Sequence, residues 1–71
     1  MKKFLIVIEK TKKGYSAYSP DLPGCIATAR TRSAVTKRMR EAVEFHLDGL
    51  REEGERIPPP HSYSTYLNVA A

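Results

Sequence analysis

The chain has 71 residues, 41% of them hydrophobic and 28% charged, with a formal net charge of +4 and one cysteine. A chain this short buries only about 60% of the surface that its unfolded form exposes, so the length predicts one small domain, residues 1–71, with a thin stability margin that a second copy would improve. The lone cysteine excludes an internal disulfide, and no stretch approaches the roughly 20 apolar residues of a membrane-spanning helix; the expectation is a cytoplasmic protein without membrane contact.

The opening Met-Lys-Lys and the apolar run Phe4 to Ile8 imitate a signal peptide but are too short, and Glu9, Lys10, Lys12 and Lys13 end the run at once. KFLIVIEK (about 3–10) is rich in β-branched residues and apolar on both faces, which predicts a central strand. A polar turn ending in Gly14 leads to a second strand at about 14–19, and PDLPGC leads to a third at about 24–29. In that turn Pro20 and Pro23 fix φ, Asp21 can accept bonds from turn amides, and Gly24 tolerates positive φ.

A long helix is predicted over about 32–53, capped by Thr31 or Ser33. Val35, Met39, Ala42, Val43, His46 and Leu50 fall within about 100° of arc on it and make one stripe for a sheet. Gly54 supplies a left-handed stop, and Pro58, Pro59 and Pro60 keep the helix from resuming. Over about 62–69, Tyr63, Thr65, Leu67 and Val69 alternate with Ser62, Ser64, Tyr66 and Asn68, as in a half-buried fourth strand. The order is β-β-β-α-β, an α+β two-layer domain. A right-handed crossover puts the fourth strand beside the first, giving sheet order 3-2-1-4 with the helix on one face.

Chemistry is sparse in this pattern. Cys25 follows a tight turn with no evident helix dipole to lower its pKa, so it reads as a small buried hydrophobe; an enzyme using its thiol is the rival. His46 sits in the apolar stripe and reads as a core or interface residue, and His61 as a polar connector. One cysteine and two scattered histidines offer no metal-ligand spacing. The β-β-β-α-β order also begins the ribonuclease H architecture, but the carboxylates of a two-metal nuclease are missing: Phe4 to Ile8 and residues 62–69 contain no acid. The reading is a protein that is not an enzyme and needs no cofactor.

Charge is distributed unevenly. Residues 1–40 carry ten Lys/Arg against two acids, and residues 41–71 carry two Arg against six acids. Arg30, Arg32, Lys37, Arg38 and Arg40 crowd the helix start while Asp48, Glu52 and Glu53 crowd its end, the reverse of what the helix dipole favours by about 0.3–1 kcal/mol per exposed charge. Two such helices packed antiparallel in a homodimer would set each basic start beside an acidic end; unpaired, screened surface charge is the alternative. Candidate partner or dimer contacts are Arg38, Arg40, Glu44, Phe45, Asp48 and Tyr66. A nucleic-acid contact would use Lys12, Lys13, Arg30 and Arg32, with Tyr15 or Tyr18 stacking on bases.

Three segments carry a resemblance: YSAYSPDLPGCIATA, the helix centre EAVEFHLDGL, and EEGERIPPP with the strand after it. They resemble the HicB-like antitoxin family over nearly the whole chain. Its P-D-L-P-G-C signature is matched by Pro20, Asp21, Leu22, Pro23, Gly24 and Cys25, and its G-x-x-I-P-x-P pattern by Gly54, Ile57, Pro58 and Pro60. The resemblance implies a partial ribonuclease H fold without nuclease activity, usually dimeric, that neutralises a HicA-like toxin which cleaves messenger RNA. Many members continue into a segment that binds promoter DNA. Ending at Ala71, this sequence has no such segment, so DNA binding is not expected. Where the family is typically acidic before the helix, this sequence reads ARTRSAV, so either the toxin contact uses the acidic half, Glu41 to Glu55, or this copy has left toxin binding behind. An orphan module that binds nucleic acid, or a regulatory dimer without a toxin, is the alternative.

Overall fold

The computed structural model describes residues 2–71. Three short strands, β1 (Val7–Lys10), β2 (Tyr15–Tyr18) and β3 (Ile26–Ala29), form an antiparallel meander in the order β1-β2-β3, and one helix, α1 (Arg32–Glu52), packs mainly over β3 and β2. Val7 lies opposite Tyr18 and Tyr18 opposite Ile26, so these three share the face away from α1. Ile8, Ala17 and Ala27 are aligned on the face toward it. Alternation along each strand thus separates a core side from an open side.

Two local devices fix the register. Between β1 and β2, the Thr11 amide donates to the Gly14 carbonyl (2.8 Å) and the Gly14 amide to Thr11 Oγ1 (3.1 Å). Gly14 itself is packed so tightly on the chain leaving β3 that a Cβ there would collide with the Ala29 carbonyl oxygen and lie 2.8 Å from Arg30 Cα. Only glycine allows that approach.

Thr31 is the helix cap: it is extended, and its Oγ1 accepts from the Ala34 amide at 3.1 Å. At the far end the Gly54 amide reaches the Arg51 carbonyl (3.1 Å) and the Glu55 amide the Leu50 carbonyl (2.8 Å), with Gly54 at φ 71°. This paired closure satisfies carbonyls that the helix leaves free.

The core is small: Ala17, Leu22, Cys25, Val35 and Met39 are buried, and Phe4, Ile6, Ile8, Tyr15, Ala27, Ala29, Ala42, Val43 and Leu47 pack around them. Two of the five central residues, Leu22 and Cys25, come from the β2–β3 turn rather than from a strand or the helix.

The expected fourth strand and the sheet order 3-2-1-4 are not what the single chain adopts. The sheet has three strands, and residues 62–69 join no ladder. Their pattern is that of a strand, but a strand exists only where another strand completes its hydrogen bonds. The prolines hold 58–60 extended, the base of the tail is tied to Asp21, and Tyr63, Tyr66, Leu67 and Val69 stand in solvent. A radius of gyration of 13.9 Å and a long axis of 48 Å record the projection, against about 11 Å for a compact chain of this length. β1 likewise covers only half of the expected 3–10. Residues 2–6 have no neighbour in the ladder, because β2 ends at Tyr18 and turns away at Pro20.

Candidate partner-binding surfaces

The proline-bounded turn is a piece of architecture. The Leu22 amide donates to the Ser19 carbonyl (3.2 Å) and the Cys25 amide to the Leu22 carbonyl (3.1 Å), while Gly24 at φ 81° lets the chain reverse. These bonds drive Leu22 into the core and leave Cys25 beneath the surface, where burial raises its thiol pKa above the ordinary value. A thiol so placed is a poor nucleophile. Ser19 is buried beside it, and its hydroxyl donates to the Leu5 carbonyl at 2.9 Å, which ties the turn to the start of the chain.

Asp21 does something its sequence position does not announce. Instead of capping turn amides, its carboxylate accepts from the Ser62 amide (2.9 Å), the Ser62 hydroxyl (2.9 Å) and the His61 amide (3.0 Å), about 40 residues away in sequence. The Ser62 amide bond is the main cause of a pKa below the usual carboxylate value, outweighing partial desolvation, with the Ser62 hydroxyl, the His61 amide and the His61 ring adding to it. Nothing local in Pro-Asp-Leu-Pro signals this partner.

Between the turn and the second half of α1 lies a shallow groove of about 390 Å³, lined by Gly24, Cys25, Ile26, Ala42, Phe45, His46, Gly49, Leu50 and Glu53. Phe45, on its helical wall, is 82% exposed, whereas the Ile26 side chain stands on the sheet face away from α1. Asp48, Glu52 and Glu53 stand on the same end of α1, and Arg51 pairs with Asp48 at 3.1 Å across exposed side chains. Such a pair contributes little in water and leaves the end acidic. Of the partner candidates from the sequence, Phe45 lines this groove, and Asp48 stands on the same half of α1 outside its lining.

The opposite end is basic. Because Gly14 abuts Ala29 and Arg30, the turn carrying Lys12 and Lys13 sits beside the β3–α1 junction carrying Arg30 and Arg32. The backbone segments that carry the four candidate nucleic-acid contacts are thus adjacent, although distant in sequence. Arg38 is partly engaged elsewhere, its Nη1 donating to the Thr28 carbonyl at 2.9 Å. Tyr15 is half-buried with Lys10 Nζ 5.3 Å from its ring centre, so of the two tyrosines proposed to stack, Tyr18, on the open sheet face, is the more accessible.

A second groove, about 490 Å³, runs along the free edge of β1. Phe4, Ile6, Ile8, Met39 and Val43 form its floor, with Lys2, Lys3, Arg40 and Glu44 among its rim. Arg40 and Glu44 are therefore on a different surface from Phe45, and Tyr66, 99% exposed on the tail, contacts neither. Among the described residues no three His, Cys, Asp or Glu side chains converge as metal ligands would, and no helix is long and apolar enough to cross a membrane. Three surfaces thus stand out among the described residues: one at the acidic end of α1, one basic, and one apolar along the start of the chain.

A family model described as the HicB-like antitoxin of bacterial toxin–antitoxin systems matches residues 4–70. A UPF0150 protein of Archaeoglobus fulgidus is 41% identical over 58 residues, 78% of this chain and 84% of that protein. A 14.9 kDa protein from the rep-hol intergenic region of Haemophilus phage HP1 is 36% identical over 63 residues, 89% of this chain but 47% of that protein, so the chain spans about half that relative's length. Among solved structures, a chain of a HicA3 and HicB3 toxin–antitoxin complex superposes with a TM-score of 0.66 at 34% identity, covering 82% of this chain and 72% of that one.

Proposed function

The chain belongs to the HicB-like antitoxin family of bacterial toxin–antitoxin systems, and from that premise we propose that it is a non-catalytic, homodimeric binding module that sequesters a small RNA-cleaving toxin in the cytoplasm. The three strands and helix are the main part of a partial ribonuclease H fold within a single domain. Inhibition is steric and needs no cofactor.

The observation that carries this reading is the acidic-end groove. A protein that cleaves RNA must hold a polyanion, so its working face is positive. A groove with exposed Phe45 and Glu53 in its lining, and with Asp48 and Glu52 on the same end of α1, complements such a face: the charges steer it, and the apolar groove receives a side chain from it. The basic end would repel the same partner.

The test is affinity capture from nuclease-treated lysate, followed by assay of the captured protein. A stoichiometric small basic protein, inactive on RNA in the complex and active once separated, is the expected result. Phe45→Ala and the double reversal Glu52→Lys, Glu53→Lys should each weaken inhibition at least tenfold. Full inhibition by both variants would remove the groove from the mechanism.

The clustering of Lys12, Lys13, Arg30 and Arg32 favours a second reading, an orphan module that binds nucleic acid. Such binding would weaken with salt at a slope set by the phosphates contacted, and changing two of the four residues to Ala would reduce that slope by about 2.

A further inference from the structure

The tail beyond Ser62 is built as a strand and has nothing to pair with. Residues 62–69 contain no charged side chain, and Tyr63, Thr65, Leu67 and Val69 fall on one face. Exposed strands are normally blunted with lysine, proline or a bulge, because an unpaired edge pairs with whatever it meets. This tail has none of these protections, and Leu67 is 79% exposed. The same molecule carries a matching vacancy. The free edge of β1 borders an apolar groove, and the chain from Lys3 to Ile6 keeps a strand's pattern without strand pairing.

We propose that two copies of this chain exchange tails, residues 62–69 of each adding as a fourth strand to the free edge of the other's β1, with its apolar face seated in the groove between β1 and α1. This deepens the homodimer proposed above and is independent of the toxin.

Four features select a second copy as the occupant. Each chain offers one tail and one groove, so a twofold exchange fills both grooves and pairs both tails. The lengths agree: eight tail residues span about 26 Å when extended, as do residues 3–10. The three prolines and the Asp21 clamp fix the root of the tail on its own body and project the rest outward, the arrangement of a stiff hinge that favours exchange over return. Finally, the tail is uncharged and the groove floor is Phe4, Ile6, Ile8, Met39 and Val43, so the fit is between apolar faces, with Lys2, Lys3, Arg40 and Glu44 at the rim in water. The exchange would extend β1 back to residue 3 and produce the sheet order 3-2-1-4 within the dimer.

The experiment is light scattering of the full chain, joined to isotope-filtered NMR on a dimer mixed from labelled and unlabelled protein. The expected mass is twice the 8.0 kDa of one chain, and the expected contacts run between Leu67 or Val69 methyls of one copy and Ile6, Ile8 or Val43 of the other. The double variant Leu67→Asp, Val69→Asp, altered outside the core, should be monomeric with unchanged helical circular dichroism. A monomeric wild-type chain overturns both the exchange and the homodimer while leaving the toxin assay untouched. A dimer whose tail contacts are within one chain, or between the two tails, or that survives the double variant, overturns the exchange alone. Contacts to the groove that appear only when a captured toxin is present would assign it to that partner instead.

Discussion

Replacing Leu22 by alanine should show that the proline-bounded turn is part of the core. Leu22 is 0% exposed and is held inward by the bonds from its own amide to Ser19 and from the Cys25 amide to its carbonyl. The substitution removes three carbons, roughly 2.4 kcal/mol of transfer free energy at about 0.8 kcal/mol each. Because a turn pinned between two prolines cannot collapse into the space, the cavity raises the expected loss to about 3–5 kcal/mol. A domain of 71 residues is stable by only about 4–11 kcal/mol, so the variant loses a large share of its stability or all of it. Urea unfolding followed by helical circular dichroism measures this, at one fixed protomer concentration so that any self-association contributes equally. Leu22→Met keeps the volume and should cost less than about 1.5 kcal/mol. A loss below about 1 kcal/mol for Leu22→Ala would refute the assignment of the turn to the core.

Gly14→Ala should destabilise the fold by about 1–3 kcal/mol, because the added Cβ meets the backbone of Ala29 and Arg30 rather than a movable side chain; an unchanged urea midpoint would show that the β1–β2 turn is not packed there. Cys25 should react slowly with an aromatic disulfide in the native state and rapidly once urea unfolds the chain, since burial raises its pKa and hides its sulfur; rapid native labelling would reopen a reactive role. The Asp21 carboxyl titrates below its ordinary value chiefly through the Ser62 amide. A lowered folded-state pKa means that the clamp's contribution is complete above the unfolded value and is lost as pH falls through the folded one. Amide exchange at His61 and Ser62, corrected for its intrinsic pH dependence, should therefore stay slow at neutral pH and lose protection on acidification. In Asp21→Ala the protection should be absent at every pH, and equal protection in that variant would dismiss the clamp.

Local chemistry made much of this protein legible without coordinates. The meander is written in apolar alternation broken at Gly14 and at PDLPGC, and α1 in its 3.6-residue stripe, the Thr31 cap and the Gly54 stop, all of which act within a few residues. The six-residue signature and the G-x-x-I-P-x-P pattern were enough to indicate the antitoxin family, which the family match over 4–70 shows. The candidate surfaces were less legible. Phe45 could be named on the helix, yet the groove it lines with Gly24 and Cys25 of the turn, and the approach of the turn carrying Lys12 and Lys13 to the junction carrying Arg30 and Arg32, depend on which turn packs against which.

The fourth strand marks the boundary between the two kinds of information. Alternation in 62–69 states that the segment can be a strand, but pairing is a property of two segments, and periodicity in one does not name the other. Tertiary structure decided that the tail leaves its own sheet unpaired, through the Asp21 clamp and the proline hinge, neither of which has a signal at the tail itself. Sequence by itself determined what each segment prefers, because propensity, capping and turn geometry are short-range. Only the folded chain decided which preferences are satisfied within one molecule, because each long-range contact must offset the conformational entropy of bringing distant residues together.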